Sequence, residues 1–261
     1  MTQGIKRASP GAEDEKPLSV ELSCEQAKDL RSVQREQAKL NLYLEREAQN
    51  KLYPAYVTRR PILKSINNFW PVALLKNHVV AFHAQHNADK TALNYLEDLW
   101  VTRDPNDFRC FTLEFYFKDN KFFEDKVLKK EYKLIPQPNT ANEKPDENGI
   151  TDSMLEFSWE THVEGQPIKW KSEETNLTKS YPREAGDDDD ELPIDTGSFF
   201  NFFEYKDDPS DIGPVIASEV FPDAIDYFLN DDEDDSEDED DDSDDAEEID
   251  LEKPRTKKQK V

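Results

Sequence analysis

The sequence predicts an α+β fold: a long N-terminal helix, an antiparallel β-sheet with flanking helices, and a disordered acidic C-terminal tail. Three observations carry that prediction. Residues 18–53 contain neither Gly nor Pro and are rich in Glu, Gln, Lys, Arg, Ala and Leu, the residues that helices favour. Residues 111–117 alternate, with Phe111, Leu113, Phe115 and Phe117 set against Thr112, Glu114 and Tyr116, which is the period of a half-buried strand. Between Asp231 and Asp250 stand 16 carboxylates in 20 residues. No apolar content offsets the ordering entropy of such a run.

Residues 1–17 are polar, include Gly4, Pro10, Gly11 and Pro17, and read as a disordered N-terminus. The helix follows over 18–53. Ser19 and Ser23 are both candidate caps, Ser23 with Gln26 at the capping-box position. Pro54 removes a backbone donor and is expected to end the helix, giving a rod about 50 Å long. Leu30, Val33, Leu40, Leu44, Ala48 and Leu52 form a stripe at three- and four-residue steps, interrupted by Gln37, with Leu42 off it. A small domain cannot bury so long and narrow a stripe. It is expected to pair with a second copy of the chain; the alternative is a helix packed on its own domain.

Residues 54–229 hold most of the aromatic side chains and read as the folded domain. Tyr56–Ser65 contains Pro61, which is expected in a first turn or a break. Ile66–Pro71 is a turn feeding a helix with Val72, Leu75, Val79, Val80 and Phe82; residues 88–100 read as another, through Ala92, Leu93, Tyr95, Leu96 and Leu99. Trp100–Arg103 is a candidate first strand. The alternating strand 111–117 turns at Asp119-Asn120 into a returning strand over Lys126–Ile135, with Leu128, Tyr132 and Leu134 on one face. Met154–Val163 and Pro167–Trp170 are further candidate strands, and such short connections suit an antiparallel meander. Residues 172–196, with five successive acids at Asp187–Glu191, read as a polar excursion. Ser198 is a candidate cap for Phe199–Phe203, and Ile212–Leu229 closes the domain in helix broken at Pro222.

The formal charge is −26 over 261 residues. Setting aside the acids of 231–250, the rest still carries −10. A surplus of anions excludes direct binding to nucleic acid or an anionic membrane as the expected activity. No apolar run approaches the ~20 residues of a membrane span, and the N-terminus lacks a hydrophobic signal core. Two cysteines, Cys24 and Cys110, in segments of different character make no disulfide framework. These features fit a soluble intracellular protein.

The segment 230–252, opening on Asp231, Asp232, Glu233, Asp234 and Asp235, is a tethered polyanion whose natural partner is a polycation. Residues 253–261 follow it with Arg255, Lys257, Lys258 and Lys260, a cluster that reads as a nuclear import signal and so as a ligand for an import receptor. In the nucleus the most abundant basic proteins are histones. A single exposed ion pair contributes only ~0–1 kcal/mol, so such a tail must act through number, giving an avid, exchangeable and salt-sensitive grip.

The ordered set Asn68-Phe69-Trp70, Asn77-His78, Phe115–Asn120, Phe123–Leu128, Pro167–Lys171, Ser198–Phe200 and Val220–Phe228, ahead of an acidic tail, resembles the nucleosome assembly protein family. The SET-like branch and its fungal relative are most similar. The likeness covers roughly 18–250. The connection 136–165 is longer than in that branch and carries an extra candidate strand around Leu155–Trp159. The resemblance implies a long dimerisation helix, an α+β "earmuff" domain whose acidic underside binds core histones, and neither catalysis nor a cofactor. By the same resemblance Asp207, Asp208, Asp211 and Glu219 face the histone, with Glu124 and Asp125 as secondary candidates. Any one of them also reads as an ordinary solvated acid. The family allows a second role, as a regulatory adaptor that activates a histone acetyltransferase or inhibits a protein phosphatase. His78, His83 and His86 have no nearby Cys or carboxylate to complete a metal site, and no metal is expected.

Overall fold

Ser23 starts the first helix. In the computed structural model, which describes residues 22–105, 107–133, 140, 143–156, 163–184 and 196–230, the Ser23 hydroxyl accepts from the Gln26 amide at 3.2 Å. The Gln26 side chain accepts from the Ser23 amide at 3.0 Å, completing a capping box. Helix α1 spans Cys24–Ser65. It therefore does not stop at Pro54, and Pro61 lies inside it as well. The expectation that the helix ends at 53 is corrected, for two physical reasons. The carbonyls that Pro54 and Pro61 leave without donors belong to Asn50 and Val57, both exposed, so water can satisfy them. Beyond Pro54, tertiary contacts oppose the cost of a helical proline, ~3 kcal/mol. Tyr56 and Leu63 are buried, Arg59 donates to the carbonyls of Phe221 and Pro222, and Arg60 pairs with Asp98 at 2.7 Å.

The expected helix through Phe82 is two helices, α2 (Phe69–Lys76) and α3 (His78–His83). Asn77 breaks it, accepting from the amides of Val79 and Val80 to cap α3. Helix α4 covers only Asn87–Leu93. Leu96 and Leu99, expected in that helix, belong instead to strand β1 (Leu96–Arg103). The strand was hard to read because Asp98, Leu99, Trp100 and Val101 are all buried. The end of α1 covers its outer face through Arg60, which erases the alternation.

Strands β2 (Phe111–Phe117) and β3 (Val127–Tyr132) follow where the alternation places them. The 3₁₀ turn Ser153–Glu156 occupies the start of the expected strand Met154–Val163, and among the described residues of this stretch Val163–Glu164 pairs, as β4. Residues 157–162 lie outside the described set. The sheet runs β1-β2-β3-β4 with every neighbouring pair antiparallel. Pro167–Trp170, expected as a strand, contributes one isolated bridge, Trp170 with Phe123.

Short helical pieces complete the domain: α5 (Leu177–Ser180), α6 (Asn201–Glu204), α7 (Ile212–Val215), one π-helical turn (Ile216–Val220) and α8 (Ala224–Leu229), with α6 against β3 and Phe228 of α8 stacked on Phe69 of α2. The core is aromatic. Phe115 of β2 meets Phe203 edge-on at 5.0 Å, and Phe117 meets Phe123 at 5.0 Å. Buried Asp89 orders the Phe-rich turn by accepting from the Ser198 hydroxyl and the Phe199 amide. Ser198 in turn accepts from the Phe200 amide within that turn, whereas α6 starts only after Phe200, so Ser198 is not its N-cap. Among the described residues, no helix is long and apolar enough to cross a membrane.

Candidate functional site

The acids of residues 207–211 sit on a loop that β3 holds from beneath. Residue 130 points inward on β3, where the pattern calls for an apolar side chain, and it is a lysine with no exposed surface. Its ammonium donates to the carbonyls of Phe202 and Tyr205, each at 2.6 Å, and of Asp207 at 3.2 Å. These carbonyls run from the end of α6 into the loop, so one cation gathers the chain there. Burial pulls the Lys130 ammonium down to about 8, opposed by the charges of Asp208 and Asp207.

Two positions on, Tyr132 also points inward. It stacks on Phe111 at 4.5 Å and donates its hydroxyl to Asp208. Asp208 accepts as well from the amides of Ile212 at 3.0 Å and Gly213 at 2.8 Å. Both oxygens of Asp208 are thus engaged, and the residue starts α7 rather than facing outward. Burial raises its carboxyl above the ordinary range, against the pull of these hydrogen bonds. Gly213 is required for this contact, because a Cβ there would lie 1.9 Å from the Tyr132 hydroxyl.

Asp207 and Asp211 remain exposed. Asp211 has φ of 52°, a left-handed conformation that aspartate tolerates better than most residues. Asp207 is held by Arg183, whose two terminal nitrogens meet its two oxygens at 2.9 and 3.0 Å. That pair keeps the Asp207 carboxyl below its usual range, opposed by partial burial. Asp207, Asp208 and Asp211 together line a depression walled by Tyr132 and Val163. Glu219, Glu124 and Asp125 do not line it. Glu219 is exposed on the π-helical turn. Asp125 accepts from the Lys169 amide at 2.7 Å, and Glu124 beside it is exposed. The clamp residues Lys130, Tyr132 and Arg183 escaped the sequence reading.

Helix α1 has two apolar faces. Leu42, off the stripe in sequence, is buried, as are Tyr56 and Leu63, and these turn toward the domain. The stripe does not: Leu30, Val33, Leu40, Leu44 and Leu52 are 51, 56, 51, 60 and 43% exposed, and Ala48 is exposed beside them. At about 100° per residue, Leu42 lies roughly 120° around the helix from Leu30.

His78 is exposed. His83 is buried, with its imidazole pKa lowered by burial and by Arg183, and His86 stacks on Tyr181 at 4.1 Å. Among the described residues no group of three His, Cys, Asp or Glu is placed to hold a metal ion. Leu134, the N-terminal segment 1–17, the acids Asp187–Glu191, the tail acids Asp231, Asp232, Glu233, Asp234 and Asp235, and the basic residues Arg255, Lys257, Lys258 and Lys260 lie outside the described residues.

A family model described as nucleosome assembly protein (NAP) matches residues 19–253. NAP1-related protein 2 of Arabidopsis thaliana is 28% identical over 223 residues, covering 82% of this chain and 77% of that protein. Protein SET of Drosophila melanogaster is 29% identical over 183 residues, covering 69% and 62%. Nucleosome assembly protein 1;2 of Oryza sativa subsp. indica is 28% identical over 180 residues, covering 64% and 48%. The chain thus spans about half the length of the rice protein. A crystal structure of Ccp1 superposes with a TM-score of 0.58 at 22% identity, covering 79% of this chain and 95% of Ccp1. Nucleosome assembly protein S of Plasmodium falciparum gives 0.52 at 20% identity, covering 78% and 96%. At these identities the two structures speak to the fold alone.

Proposed function

Because the chain belongs to the nucleosome assembly protein family, we propose that it is a histone chaperone without catalytic activity of its own, which shields core-histone charge and promotes nucleosome assembly or disassembly. The observation that carries this reading is the acid-bearing loop. Asp207 and Asp211 face solvent on a segment held by Lys130 and Tyr132, so their charges sit at fixed positions. A fixed anion meets a basic partner without first losing loop entropy. Asp208 shapes the loop. Glu219, Glu124 and Asp125 extend the acidic surface, and the tail acids from Asp231 onward add screened attraction of longer reach.

The exposed stripe on α1 supports pairing with a second copy. Five large side chains, each about half exposed, offer roughly 1 kcal/mol apiece on burial. The basic cluster 255–260 supports recognition by an import receptor and a nuclear location. The test is assembly of nucleosomes from purified core histones and DNA with no enzyme present, together with histone pull-down across a salt series. Assembly and a steep loss of binding with salt are expected. Histone binding without assembly would favour a regulatory adaptor for a histone acetyltransferase or a phosphatase. No histone binding even in dilute buffer would end the chaperone reading.

A further inference from the structure

Asp207 is an exposed carboxylate already filled by a guanidinium of the same chain. Arg183 meets it fork to fork, at 2.9 and 3.0 Å, and the same guanidinium carbon lies 5.0 Å from the ring centroid of Tyr205. Carboxylate below and aromatic ring beside is the arrangement that suits a planar, delocalised cation and suits an ammonium less well. The receptor half of this arrangement is prepared by the fold. The backbone carbonyls of Tyr205 and Asp207 both accept from buried Lys130, which sets the ring and the carboxylate relative to each other before anything binds.

The occupant comes from elsewhere in the chain. It lies just beyond Tyr181, whose carbonyl accepts from Ser198 and Asn201. The Asp207 side chain stays 55% exposed and that of Arg183 is 22% exposed, so a second guanidinium can approach the carboxylate from solvent. Exposed ion pairs of this kind exchange readily.

We propose that Asp207 and Tyr205 form an arginine-recognition site, and that Arg183 occupies it in cis until an arginine of a basic partner replaces it. The proposal rests on the loop being a cargo-binding surface and names the side chain it selects. Arg183 then acts as a resident competitor. It sets a threshold that lysine-rich or weakly basic proteins do not pass.

The experiment uses the full chain and fluorescent decapeptides of arginine or lysine, read by anisotropy at about 0.3 M salt, where diffuse attraction is largely screened. Arg183→Gln is expected to tighten the arginine peptide by up to about five-fold and the lysine peptide by less than two-fold. Lys179→Gln makes the same change in net charge by opening another surface pair, with Glu173, and should move neither peptide by two-fold. In an Asp207→Asn background the gain from Arg183→Gln should vanish. Should Arg183→Gln fail to fold, Arg183→Lys keeps the charge, loses the fork, and is expected to give a smaller gain of the same sign. Unchanged or weaker arginine binding in a folded variant overturns the proposal. So does an equal gain for both peptides, whether or not Lys179→Gln reproduces it. Binding of purified core histones is measured alongside. Histones bound without any gain from Arg183→Gln would sink the arginine site alone. A selective peptide gain in a protein that ignores histones would sink the chaperone reading instead.

Discussion

Replacing Lys130 by Met keeps the length of a side chain with no exposed surface and removes its charge and its three donors. Two opposing effects set the outcome. Hydrogen bonds from a charged donor contribute ~1.5 kcal/mol each at the low end, so losing three costs about 4–5 kcal/mol. Against this, the fall of the ammonium from 10.5 to about 8 corresponds to about 3 kcal/mol of cost in keeping it charged, which methionine relieves. The variant should therefore be less stable by about 1–2 kcal/mol at neutral pH. The pH dependence carries the sharper sign. Below about pH 8 both folded and unfolded chains hold the proton, and the folded state bears the whole cost of the buried charge. Between about 8 and 10.5 the folded lysine is neutral while the unfolded one is still protonated, so stability from this group rises with pH. The deficit of Lys130→Met should thus widen, toward about 4 kcal/mol near pH 10. Urea unfolding at fixed protein concentration reports it, through the fluorescence of buried Trp70 and Trp100. A deficit that stays flat from pH 8 to 10 would show that the three carbonyls hold the ammonium at least as strongly as burial disfavours it, and would refute the reasoning.

Four further outcomes are expected. Glutamate at Leu40 and Leu44, 51 and 60% exposed, should leave the domain folded and give monomers in sedimentation; a surviving dimer would remove α1 from the interface. Arg60→Ala leaves Asp98, whose side chain is 1% exposed, with the longer Lys64 pair at 4.0 Å as its remaining ion pair, and should cost up to about 3 kcal/mol, measured by denaturant midpoint. Gly213→Ala places a methyl against the Tyr132 hydroxyl; histone affinity should fall several-fold, more than for alanine at exposed Ser218 in parallel titrations. Ending the chain at residue 230 should weaken histone binding and flatten its salt dependence while the helical circular dichroism of the remainder persists, and an unchanged salt slope would take the tail out of the mechanism.

What could be read from the sequence depended on whether one partner or several faced each residue. Strands β2 and β3 were legible because one face meets the core and the other solvent. The α1 stripe was legible because its spacing survives for several turns. Strand β1 was legible only in its second half, Trp100–Arg103; its first half was not, since α1 lies on its outer side and buries Asp98 alongside Leu99. The passage of α1 through Pro54 was hidden for a related reason: the contacts that hold it, such as Arg60 with Asp98 and Arg59 with Phe221, join residues distant in sequence. Lys129 and Lys130 look alike in the sequence. The alternation that turns Leu128 and Tyr132 inward puts Lys130 with them, and the register pairs Lys129 with Glu114 on the outer face; what the sequence hid was the set of carbonyls that receives the inward lysine.

The same blindness applies to the acids, and it bears on function. Asp207 and Asp208 are neighbours of identical chemistry, yet one faces solvent and the other is half-buried, bonded to Tyr132 and the amides of Ile212 and Gly213. A bare count of carboxylates assigns both to the partner. Their geometry divides them: Asp208 fixes the turn, and the turn fixes where Asp207 and Asp211 stand. An unfolded polyanion attracts any polycation in proportion to charge and loses it with salt. Acids held at set positions beside an aromatic ring can distinguish among polycations, because only a cation of the right shape meets the carboxylate and the ring together. Selectivity in this protein should therefore follow residues that carry no negative charge, Lys130, Tyr132 and Tyr205, more closely than it follows the number of acids.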